Sequence, residues 1–454
     1  MTSEGDDATR IDEAERLLAL ELELIRRAPE SQIEPTLDRV QKALDLMGNP
    51  ERAYPTIHVA GTNGKSSTAA MVDSLLTAYG VRTGRFTSPH LETLRERIRL
   101  DGELIDSGRL LAAWEDLASI LAIVESDGGR QLTYFEVVTL LAFVAFADTP
   151  VSVGILEVGL GGRWDATNVI EPKVGVIMPI GLDHTDWLGD DLATIAGEKA
   201  GIIKPGQITV VAGQDPEATD VLVERSAAVG ATLVREGVDY GLVDRQVAVG
   251  GQQLTIRGIG GVYQDVFLPL FGEHMARNAA TALVAVEMFL GGGAGALDAE
   301  VVEQGFAAVS VPGRLEVIRR SPTVLLDVAH NPHGAAALVE AVAEAFSFQR
   351  LVGVVAVLGD KDAAGLLTEL EPLLDEIVIT QSSSPRAIDA DDLGSLASEV
   401  FGSERVTVMP SLPDAIEAGV TAAESEGDLE GAGVLVTGSV TVVGEARTLL
   451  RRRR

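Results

Sequence analysis

The chain has 454 residues, 46% of them hydrophobic, and carries a formal net charge of −32. This length and apolar content suffice for two domains that each have a core. The negative charge argues against nonspecific binding to nucleic acid or to an anionic membrane, because both are polyanions. The sequence contains no cysteine, which excludes disulfides, thiol catalysis and thiolate metal sites. Any metal must therefore be held by oxygen or imidazole ligands, which suits Mg²⁺.

The sequence shows no segment for export or for membrane insertion. Its strongest apolar run, Val137 to Ala147, is short enough to be a buried helix, and the acidic N-terminus lacks the features of a signal peptide. We therefore expect a cytoplasmic protein. An acidic protein that binds anionic substrates must concentrate its few cations at the site, so each of its lysines is a candidate. These lysines are Lys42, Lys65, Lys173, Lys199, Lys204 and Lys361.

Apolar periodicity predicts the elements of the first two hundred residues. The predicted helices cover residues 11–27, 35–47, 68–79, 107–126, 133–147 and 192–202. The predicted strands cover residues 56–59, 82–87, 97–100, 151–157, 174–178 and 208–211. Alternating strands and helices indicate a parallel sheet that is covered on both faces.

The pattern changes between residues 234 and 270, where short alternating runs are broken by glycines. These runs, at 246–249, 254–257 and 262–268, predict a small antiparallel side sheet. A helix over 274–290 then leads into a glycine-rich stretch at 291–296, which we interpret as a hinge. One more helix, at about 298–307, is expected still to pack on the first domain.

A second set of alternating strands and helices begins after Val311-Pro-Gly-Arg314. Its strands are predicted at 323–327, 351–357, 377–380 and 434–437. The predicted fold is therefore α/β: a parallel-sheet domain with a small antiparallel side sheet at 1–310, and a smaller Rossmann-like α/β domain at 311–454.

The stretch Gly61-Thr62-Asn63-Gly64-Lys65-Ser66-Ser67 lies between a predicted strand and a predicted helix. Glycines let backbone N–H groups approach phosphate oxygens, the helix N-terminus adds positive potential, and Lys65 supplies a mobile charge. In the usual P-loop pattern a glycine stands where this chain has Val59, which argues against a generic GTPase or transport ATPase. The alternative is a glycine-rich turn that binds nothing.

Three further side chains are predicted at the ends of neighbouring strands, namely Ser88, Glu157 and His184. Ligands bind at the carboxyl ends of parallel strands, so these groups could form a Mg²⁺ site completed by phosphate and water. Each taken alone is more simply explained as a turn residue, a solvated strand end or a neighbour of a helix cap. Their shared position favours the metal site.

Two other places carry candidate chemistry. Lys199 lies within a predicted helix between two glycines, which fits either a solvated lysine at a close helix contact or a helix that faces substrate. In the second domain, Asp327 and His330 follow a strand at the turn into a helix, with Asn331 as N-cap and Pro332 at the first helical position. Capping alone accounts for Asn331 but not for Asp327 and His330.

These motifs occur in an order that resembles the folylpolyglutamate synthase/dihydrofolate synthase family of the Mur ligase superfamily. The resemblance extends from about residue 12 to about residue 450 and rests on residues 61–66, 87–90, 157–168, 181–184, 198–201 and 327–332. It implies two domains with ATP and two Mg²⁺ ions in the cleft between them. Ser88, Glu157 and His184 match the metal ligands, and Lys199 matches a lysine that is carbamylated and bridges the second ion.

The resemblance also implies roles for other residues. Asn278 and Arg314 match nucleotide-contacting positions, and Phe135 resembles an aromatic residue near the pterin pocket. Asp327 and His330 match residues that close over ATP and the incoming glutamate, so the implied catalytic residues are Lys65, Lys199, Asp327 and His330. Many family members have glycine where this chain has Ser66, so Ser66 could compete with Ser88 as the metal-binding hydroxyl.

The implied reaction is amide ligation. ATP phosphorylates a carboxylate, and the amine of L-glutamate then attacks the acyl phosphate and releases phosphate. The implied substrates are ATP, L-glutamate and either dihydropteroate or a folate, with both ligations expected of one enzyme. We expect a monomer with no nucleic-acid or membrane partner.

Two other functions are compatible with the phosphate loop. A peptidoglycan Mur ligase carries a UDP-binding domain ahead of this loop, and the roughly 55 residues that precede it here are too few for such a domain. A P-loop switch or motor ATPase would hydrolyse ATP without an amine acceptor. Phosphate release measured with and without glutamate separates these functions.

Overall fold

The computed structural model of the chain describes residues 3–28, 35–126, 130–425 and 431–452. Eight strands form the first of its sheets: β1 (Thr56–Ala60), β2 (Thr83–Phe86), β3 (Ile98–Leu100), β4 (Glu103–Leu104), β5 (Val153–Glu157), β6 (Val174–Ile177), β7 (Ile208–Val211) and β8 (Thr232–Arg235). Their spatial order is β4-β3-β2-β5-β1-β6-β7-β8. The six strands from β2 to β8 in this order are parallel, and β3 and β4 continue the sheet antiparallel.

The strand order brings the predicted site residues to one edge of this sheet. β1 is central, with Val59 opposite Glu157 of β5 on one side and opposite Val176 of β6 on the other. β2 is the next strand beyond β5. The segments that follow β1, β2, β5 and β6 therefore leave the sheet side by side, as carboxyl ends of parallel strands do.

Helices cover both faces of the first sheet. They are α1 (Ser3–Ile25), α2 (Asp38–Met47), α3 (Lys65–Ala78), α4 (Ser107–Glu125), α5 (Tyr134–Asp148), α6 (Thr185–Leu188), α7 (Leu192–Lys199) and α8 (Pro216–Val229). Ile57 and Val59 of β1 are fully buried against α3. α5 is apolar almost throughout and packs in a second core on the other face, which explains its lack of a polar stripe.

The antiparallel side sheet consists of β9 (Gly241–Ala248), β10 (Gly251–Arg257) and β11 (Val262–Leu268), with β10 in the middle. Two helices follow, α9 (Glu273–Gly291) and α10 (Ala299–Ala307). Val302 and Phe306 of α10 belong to the same core as α3 and α9. The hinge predicted at 291–296 is therefore misplaced, because that stretch joins two helices of one core.

The second sheet contains β12 (Glu316–Arg320), β13 (Thr323–Leu326), β14 (Arg350–Val355), β15 (Glu376–Ile379), β16 (Val406–Val408) and β17 (Ala432–Thr437). Its order is β12-β13-β17-β14-β15-β16, and all neighbours are parallel except β12, which pairs antiparallel with β13. Its helices are α11 (Pro332–Ala345), α12 (Ala363–Leu370), α13 (Ala390–Phe401), α14 (Leu412–Glu424) and α15 (Val440–Arg452).

The structure confirms the predicted fold class and corrects several details. The strands β4, β8, β12 and β16, which lie at the sheet edges, were not predicted. α2 begins at Asp38 rather than Pro35, and α3 begins at Lys65, three residues before the predicted start at Thr68. α7 ends at Lys199, so this lysine lies at the end of a helix rather than in its middle.

Two further predictions concern the chain as a whole. The predicted division at residues 310 and 311 falls between α10 and β12 and stays a prediction. Among the described residues, no helix has both the length and the apolar content required to cross a membrane.

Candidate active site

A cleft of about 770 Å³ is lined by residues of both sheets' carboxyl-end segments. The N-terminal part of the chain contributes residues 61–66 of the phosphate loop together with Ser88, Phe135, Glu157, His184 and Lys199. The C-terminal part contributes Arg314, His330, Lys361 and Arg386. Three of the predicted site residues do not line the cleft and are buried behind it, namely Ser67, Asn278 and Asp327. The groups predicted from separate motifs thus share one crevice.

The phosphate loop is held in shape by close backbone contacts. Gly64 caps α3 with φ at 84°, and a Cβ there would lie 2.9 Å from the side-chain oxygen of Asn278. A Cβ on Gly61 would lie 2.6 Å from the Cβ of Met178. Both positions therefore require glycine. Asn278, on α9, therefore packs against the loop instead of lining the cleft.

Lys65 folds over its own loop. Its Nζ donates to the carbonyl oxygens of Gly61 and Thr62 at 3.0 and 2.9 Å. Burial lowers the pKa of Lys65, while the negative charges of Glu157 and Asp183 oppose that change. The ammonium group therefore lies where the loop would hold an anionic ligand.

Glu157 ends β5 and is 1% exposed. Its Oε1 accepts a hydrogen bond from the Ser66 hydroxyl at 2.8 Å, and its Oε2 accepts one from the Ser88 backbone N–H at 3.2 Å. Burial raises the pKa of Glu157, whereas the Lys65 charge and these hydrogen bonds lower it. In this structure the hydroxyl that contacts the carboxylate thus belongs to Ser66.

His184 lies at the N-terminus of α6 with φ at 53°, in the left-handed region. Its Nε2 is 3.2 Å from the Nζ of Lys361. Burial lowers the pKa of His184 to about 4, an effect opposed by Asp183 and reinforced by Lys361. The imidazole is therefore neutral at neutral pH, which is the form that binds metals.

The donor set of the cleft fits Mg²⁺ provided that a ligand supplies further oxygens. Glu157 and the hydroxyls of Ser66 and Ser88 supply the oxygen ligands that this ion prefers, and the neutral His184 adds a nitrogen donor. Among the described residues, no group of three or more carboxylate, imidazole or thiol side chains could hold a metal by itself. Mg²⁺ is commonly bound by one or two carboxylates together with substrate phosphates and water, so the site suits a metal that arrives with a nucleotide.

Lys199 is buried, and its Nζ donates to the carbonyl oxygen of Gly61 at 3.0 Å. Burial lowers the pKa of Lys199 to about 7, with a further contribution from the charge of Lys65. A Cβ on Gly162 would lie 2.8 Å from the carbonyl oxygen of Glu198, so the preceding loop needs a glycine to pass this close to α7. Of the two glycines that flank Lys199, Gly201 shows the expected close packing, since a Cβ there would lie 2.6 Å from the Cα of Arg163, whereas a Cβ on Gly197 would meet nothing within 4 Å. The lysine faces the cleft.

Asp183 links the two halves of the cleft. Its Oδ1 accepts from Lys361 Nζ at 2.7 Å, its Oδ2 accepts from Asn331 Nδ2 at 3.2 Å, and His330 Nε2 lies 3.8 Å from Oδ2. Burial alone raises the pKa of Asp183, but His330, His184 and Lys361 outweigh it and hold the pKa far below its usual range. The carboxylate is therefore anionic and joins groups from both sheets.

Asp327 shapes the far wall of the cleft from behind. Its two oxygens accept from the backbone N–H groups of Leu315 and Ala329 at 2.9 and 2.8 Å. Burial raises the pKa of Asp327, and the nearby charge of Arg314 opposes this. Asp327 therefore fixes the backbone on either side, beside Arg314 and His330, which do line the cleft.

Aromatic side chains line part of the cleft. Phe135 packs against the loop after β5, where a Cβ on Gly159 would lie 2.4 Å from its ring. Tyr134, Trp164 and Trp187 also line the cleft, and the guanidinium of Arg97 lies 5.0 Å from the Tyr134 ring centroid. This surface suits a flat, partly polar ring system.

Comparisons with known proteins agree with this arrangement. Residues 59–286 match the Mur ligase middle domain, and residues 313–440 match the Mur ligase glutamate ligase domain. The chain is 48% identical to the dihydrofolate synthase/folylpolyglutamate synthase of Mycobacterium tuberculosis, over 97% of this chain and 95% of that protein. This chain belongs to the dihydrofolate synthase/folylpolyglutamate synthase family. The Escherichia coli protein of the same name is 34% identical over 85% of this chain and 86% of its own length.

Solved structures of the dihydrofolate synthase/folylpolyglutamate synthase family have the same fold. The M. tuberculosis folylpolyglutamate synthase complexed with ADP superposes with a TM-score of 0.93 at 47% identity, over 96% of this chain and 99% of that one. E. coli FolC in complex with DHPP and ADP superposes with a TM-score of 0.84 at 32% identity, over 96% and 98% of the two chains. The resemblance inferred from the motifs is thus confirmed at the level of the family.

In this family member, Asp183 and Lys361 were not among the predicted site residues. Asp183 lies in the motif 181–184, in which only His184 was assigned a role. For Lys361 the signal in the sequence was the scarcity of lysine. Three of the six lysines, Lys65, Lys199 and Lys361, line the cleft. The rarity of lysine in this acidic chain had made Lys361 a candidate together with the other five lysines, but no motif assigned it a role.

Proposed function

We propose that this chain is an ATP-dependent carboxylate–amine ligase that joins L-glutamate to dihydropteroate, to folates, or to both. The observation that carries the proposal is the single cleft in which a phosphate loop from one sheet faces Arg314 and Lys361 from the other. Relatives with the same fold have been solved with ADP and with DHPP plus ADP, which supports a nucleotide and a pterin-type ligand in this cleft.

The nucleotide binds along residues 61–67, with its phosphates at the N-terminus of α3 and beside Lys65. Arg314 adds a cation from the other side, and Asn278 supports the loop. Glu157, His184 and the hydroxyl of Ser66 or Ser88 would hold one Mg²⁺, and a carbamylated Lys199 would take part in holding a second. When bound, the metal neutralises charge on the phosphate oxygens.

The reaction proceeds in two transfers. A carboxylate oxygen of the acceptor forms a bond to the terminal phosphorus as the bond to ADP breaks, and the glutamate nitrogen then bonds to the acyl carbon as phosphate leaves. Lys65 and Lys361 stabilise the negative charge on the phosphoryl oxygens during the first transfer. Asp183 holds Lys361 in place with a contact of 2.7 Å.

His330 is the proposed base for the second transfer. Its Nδ1 lies 2.9 Å from the carbonyl oxygen of Val328, which can only accept, so the hydrogen is assigned to Nδ1. The lone pair on Nε2, which lies 3.8 Å from Oδ2 of Asp183, can then take a proton from the ammonium group of glutamate, and the Asp183 carboxylate stabilises the imidazolium that forms. Removing that proton generates the amine nucleophile.

Closure of the cleft protects the acyl phosphate from water. Asp183 bonds to Asn331 and Lys361, and Asn63 Nδ2 lies 2.7 Å from the Nδ1 of His333. These contacts join the phosphate loop edge to α11 and to the segment after β14. We propose that the monomer is the active unit.

An acceptor-dependence assay tests the proposed function. ADP and phosphate are measured with ATP alone, with glutamate added, and with glutamate plus either dihydropteroate or a monoglutamyl tetrahydrofolate. We expect turnover only with the full set, one amide per ADP, and none in Lys65→Ala. Turnover without glutamate would indicate a P-loop ATPase instead, and turnover only with a UDP-linked muramoyl acceptor would indicate a peptidoglycan ligase.

A further inference from the structure

Arg447 lies outside the cleft but contacts segments that form two of its walls. It is on α15 and is 7% exposed. Its Nη1 donates to Oε2 of Glu92 at 2.6 Å, and its Nε donates to Oε2 of Glu316 at 2.9 Å. One guanidinium therefore joins the loop after β2 to the start of β12, two segments more than two hundred residues apart in the chain.

Glu316, one of the two acceptors of Arg447, also bonds to the backbone next to Arg314. Oε2 of Glu316 also accepts from the backbone N–H of Gly313 at 2.9 Å, and the Gly313 carbonyl accepts from Val328 N–H at 3.0 Å. Arg314, the next residue, lines the cleft. Glu316 thus fixes the backbone from which Arg314 extends, and Arg447 fixes Glu316.

Glu92, the other acceptor of Arg447, lies in the same loop as Ser88. The loop from Ser88 to Glu92 carries three cleft residues, Ser88, Pro89 and His90. Glu96 accepts from the N–H groups of Leu91 and Glu92 at 2.9 and 3.0 Å and fixes that end of the loop, while the Ser88 N–H donates to Glu157 at 3.2 Å at the other end.

α15 packs directly against this loop. A Cβ on Gly444 would lie 2.1 Å from the carbonyl oxygen of Leu91, which leaves room only for glycine. Thr448 Oγ1 donates to Oε1 of Glu92 at 3.1 Å, one residue after Arg447. The close approach of helix and loop therefore places Arg447 between its two carboxylates.

We propose that Arg447 is a positioning residue that sets Arg314 and the Ser88 loop at the correct separation across the cleft. A guanidinium fork suits this role because its planar donors fix the directions of two carboxylates at once. Without it, Glu92 and Glu316 would be two like charges near each other, which drives their segments apart. The proposal rests on the proposed function in assigning Arg314 and Ser88 to the magnesium nucleotide.

The test compares Arg447→Met with Arg451→Met in the full-length protein. Arg451 is on the same helix, its side chain is 58% exposed, and its Nη1 is 3.7 Å from Glu92, so it controls for loss of a surface arginine. We expect faster hydrogen exchange at amides 87–92 and 312–316 and about tenfold weaker Mg–ADP binding in Arg447→Met only. Glu92→Gln combined with Arg447→Met removes one of the like charges and should recover part of the binding.

Two results would overturn the proposal: unchanged exchange in both segments, or faster exchange with unchanged Mg–ADP binding. Should Arg447→Met not fold, Arg447→Lys serves in its place, because it keeps the charge and loses the fork. In Arg447→Lys we expect hydrogen exchange at amides 87–92 and 312–316 to stay faster than in the wild type. Wild-type exchange together with wild-type Mg–ADP binding in Arg447→Lys would also overturn the proposal. Because exchange and Mg–ADP binding need no ligation, they test Arg447 even if the wild-type protein fails to join glutamate.

Discussion

Asp183 and Lys361 show how single residues of two sheets depend on each other. They are separated by 178 positions in the chain, and their side chains are 10% and 7% exposed. A buried carboxylate and a buried ammonium each need the other, because an unpaired buried charge is costly. The pair therefore both joins the two parts of the cleft and places a cation beside the phosphate loop.

Lys361→Met tests this placement. We expect kcat for ligation to fall about 10² to 10³-fold, as for removal of one preorganised charge donor, with a small change in the KM for ATP. The measurement is steady-state amide formation, with Lys173→Met as control because Lys173 lies outside the cleft. A loss of less than threefold in kcat would contradict the proposed role of Lys361.

The buried position of Lys199 predicts that its side-chain amine reacts with CO₂. Only a neutral amine reacts with CO₂, and the lowered pKa of about 7 makes that form abundant above neutral pH. We expect ligation to depend on dissolved bicarbonate, and Lys199→Ala to be inactive but partly restored by a small carboxylic acid that replaces the carbamate. Mass spectrometry under CO₂ and the rescue assay check this. Full activity in CO₂-free buffer would contradict it.

Residue patterns in the sequence predicted the members of the site that lie in contiguous motifs and missed those defined by contacts between motifs. The loop 61–66, Glu157 and His184 could be predicted because strand ends converge in a parallel sheet. The partnership of Ser66 with Glu157 or of Lys361 with Asp183 could not, since it depends on rotamers and on how the two sheets are set against each other. The same holds for Asn278 and Asp327, whose positions behind the wall depend on packing.

Among single elements, α11 combines stability with function at its N-cap, Asn331. Asn331 Oδ1 accepts from the backbone N–H of Gly334 at 2.8 Å and caps the helix, while Asn331 Nδ2 donates to Asp183. The cap was predictable from Asn-Pro at the start of an apolar pattern. The second bond was not, because its acceptor belongs to the other sheet.

The two roles of Asn331 can be separated by substitution. Asn331→Asp keeps the capping oxygen but replaces the donor with a charge facing Asp183, so we expect ligation to fall at least tenfold while α11 remains capped. Asn331→Ser keeps a cap without the added charge and is the matched control. Thermal unfolding and amide formation are measured together. Equal activity of the Asp and Ser variants would contradict the interpretation.

Element boundaries were least predictable where turns or edges decide them. α3 begins at Lys65 because Gly64 adopts a positive φ and ends the loop, whereas the run of hydroxyl residues after Lys65 is also typical of a helix start at Thr68. β12 and β16 lie at the two ends of their sheet, and edge strands lack the continuous apolar runs of the central ones. The central strands were accordingly predicted and the edges were not.

At the scale of the whole molecule, folding buries ionisable groups that couple stability to pH. His58, in β1, is fully buried with its Nε2 2.8 Å from the Thr167 hydroxyl, and burial lowers its pKa to about 3. Between about pH 6.5 and pH 3 the unfolded chain therefore binds a proton that the folded protein does not. The free energy of unfolding should fall with decreasing pH in this window by up to ~1.4 kcal/mol per pH unit from this residue.

His58→Gln tests the sign and the origin of this dependence. Glutamine lacks the titrating ring, so the unfolding free energy measured in urea should decline less steeply from pH 6.5 to pH 5 in the variant than in the wild type. The absolute stability at pH 7 is expected to drop because the ring volume is lost. Parallel pH slopes for the two proteins would show that His58 does not contribute.

The proposed function depends above all on one property of the whole molecule: the two sheets place a carboxylate acceptor, a nucleotide and glutamate in one water-excluding cleft. The most direct measurement uses dihydropteroate labelled with ¹⁸O in its carboxylate, with ATP and glutamate, followed by mass spectrometry of the released phosphate. We expect one ¹⁸O in the phosphate for every amide formed, because the acceptor oxygen leaves with the phosphoryl group. Phosphate free of the label would contradict it, since water rather than the carboxylate would then have attacked the nucleotide.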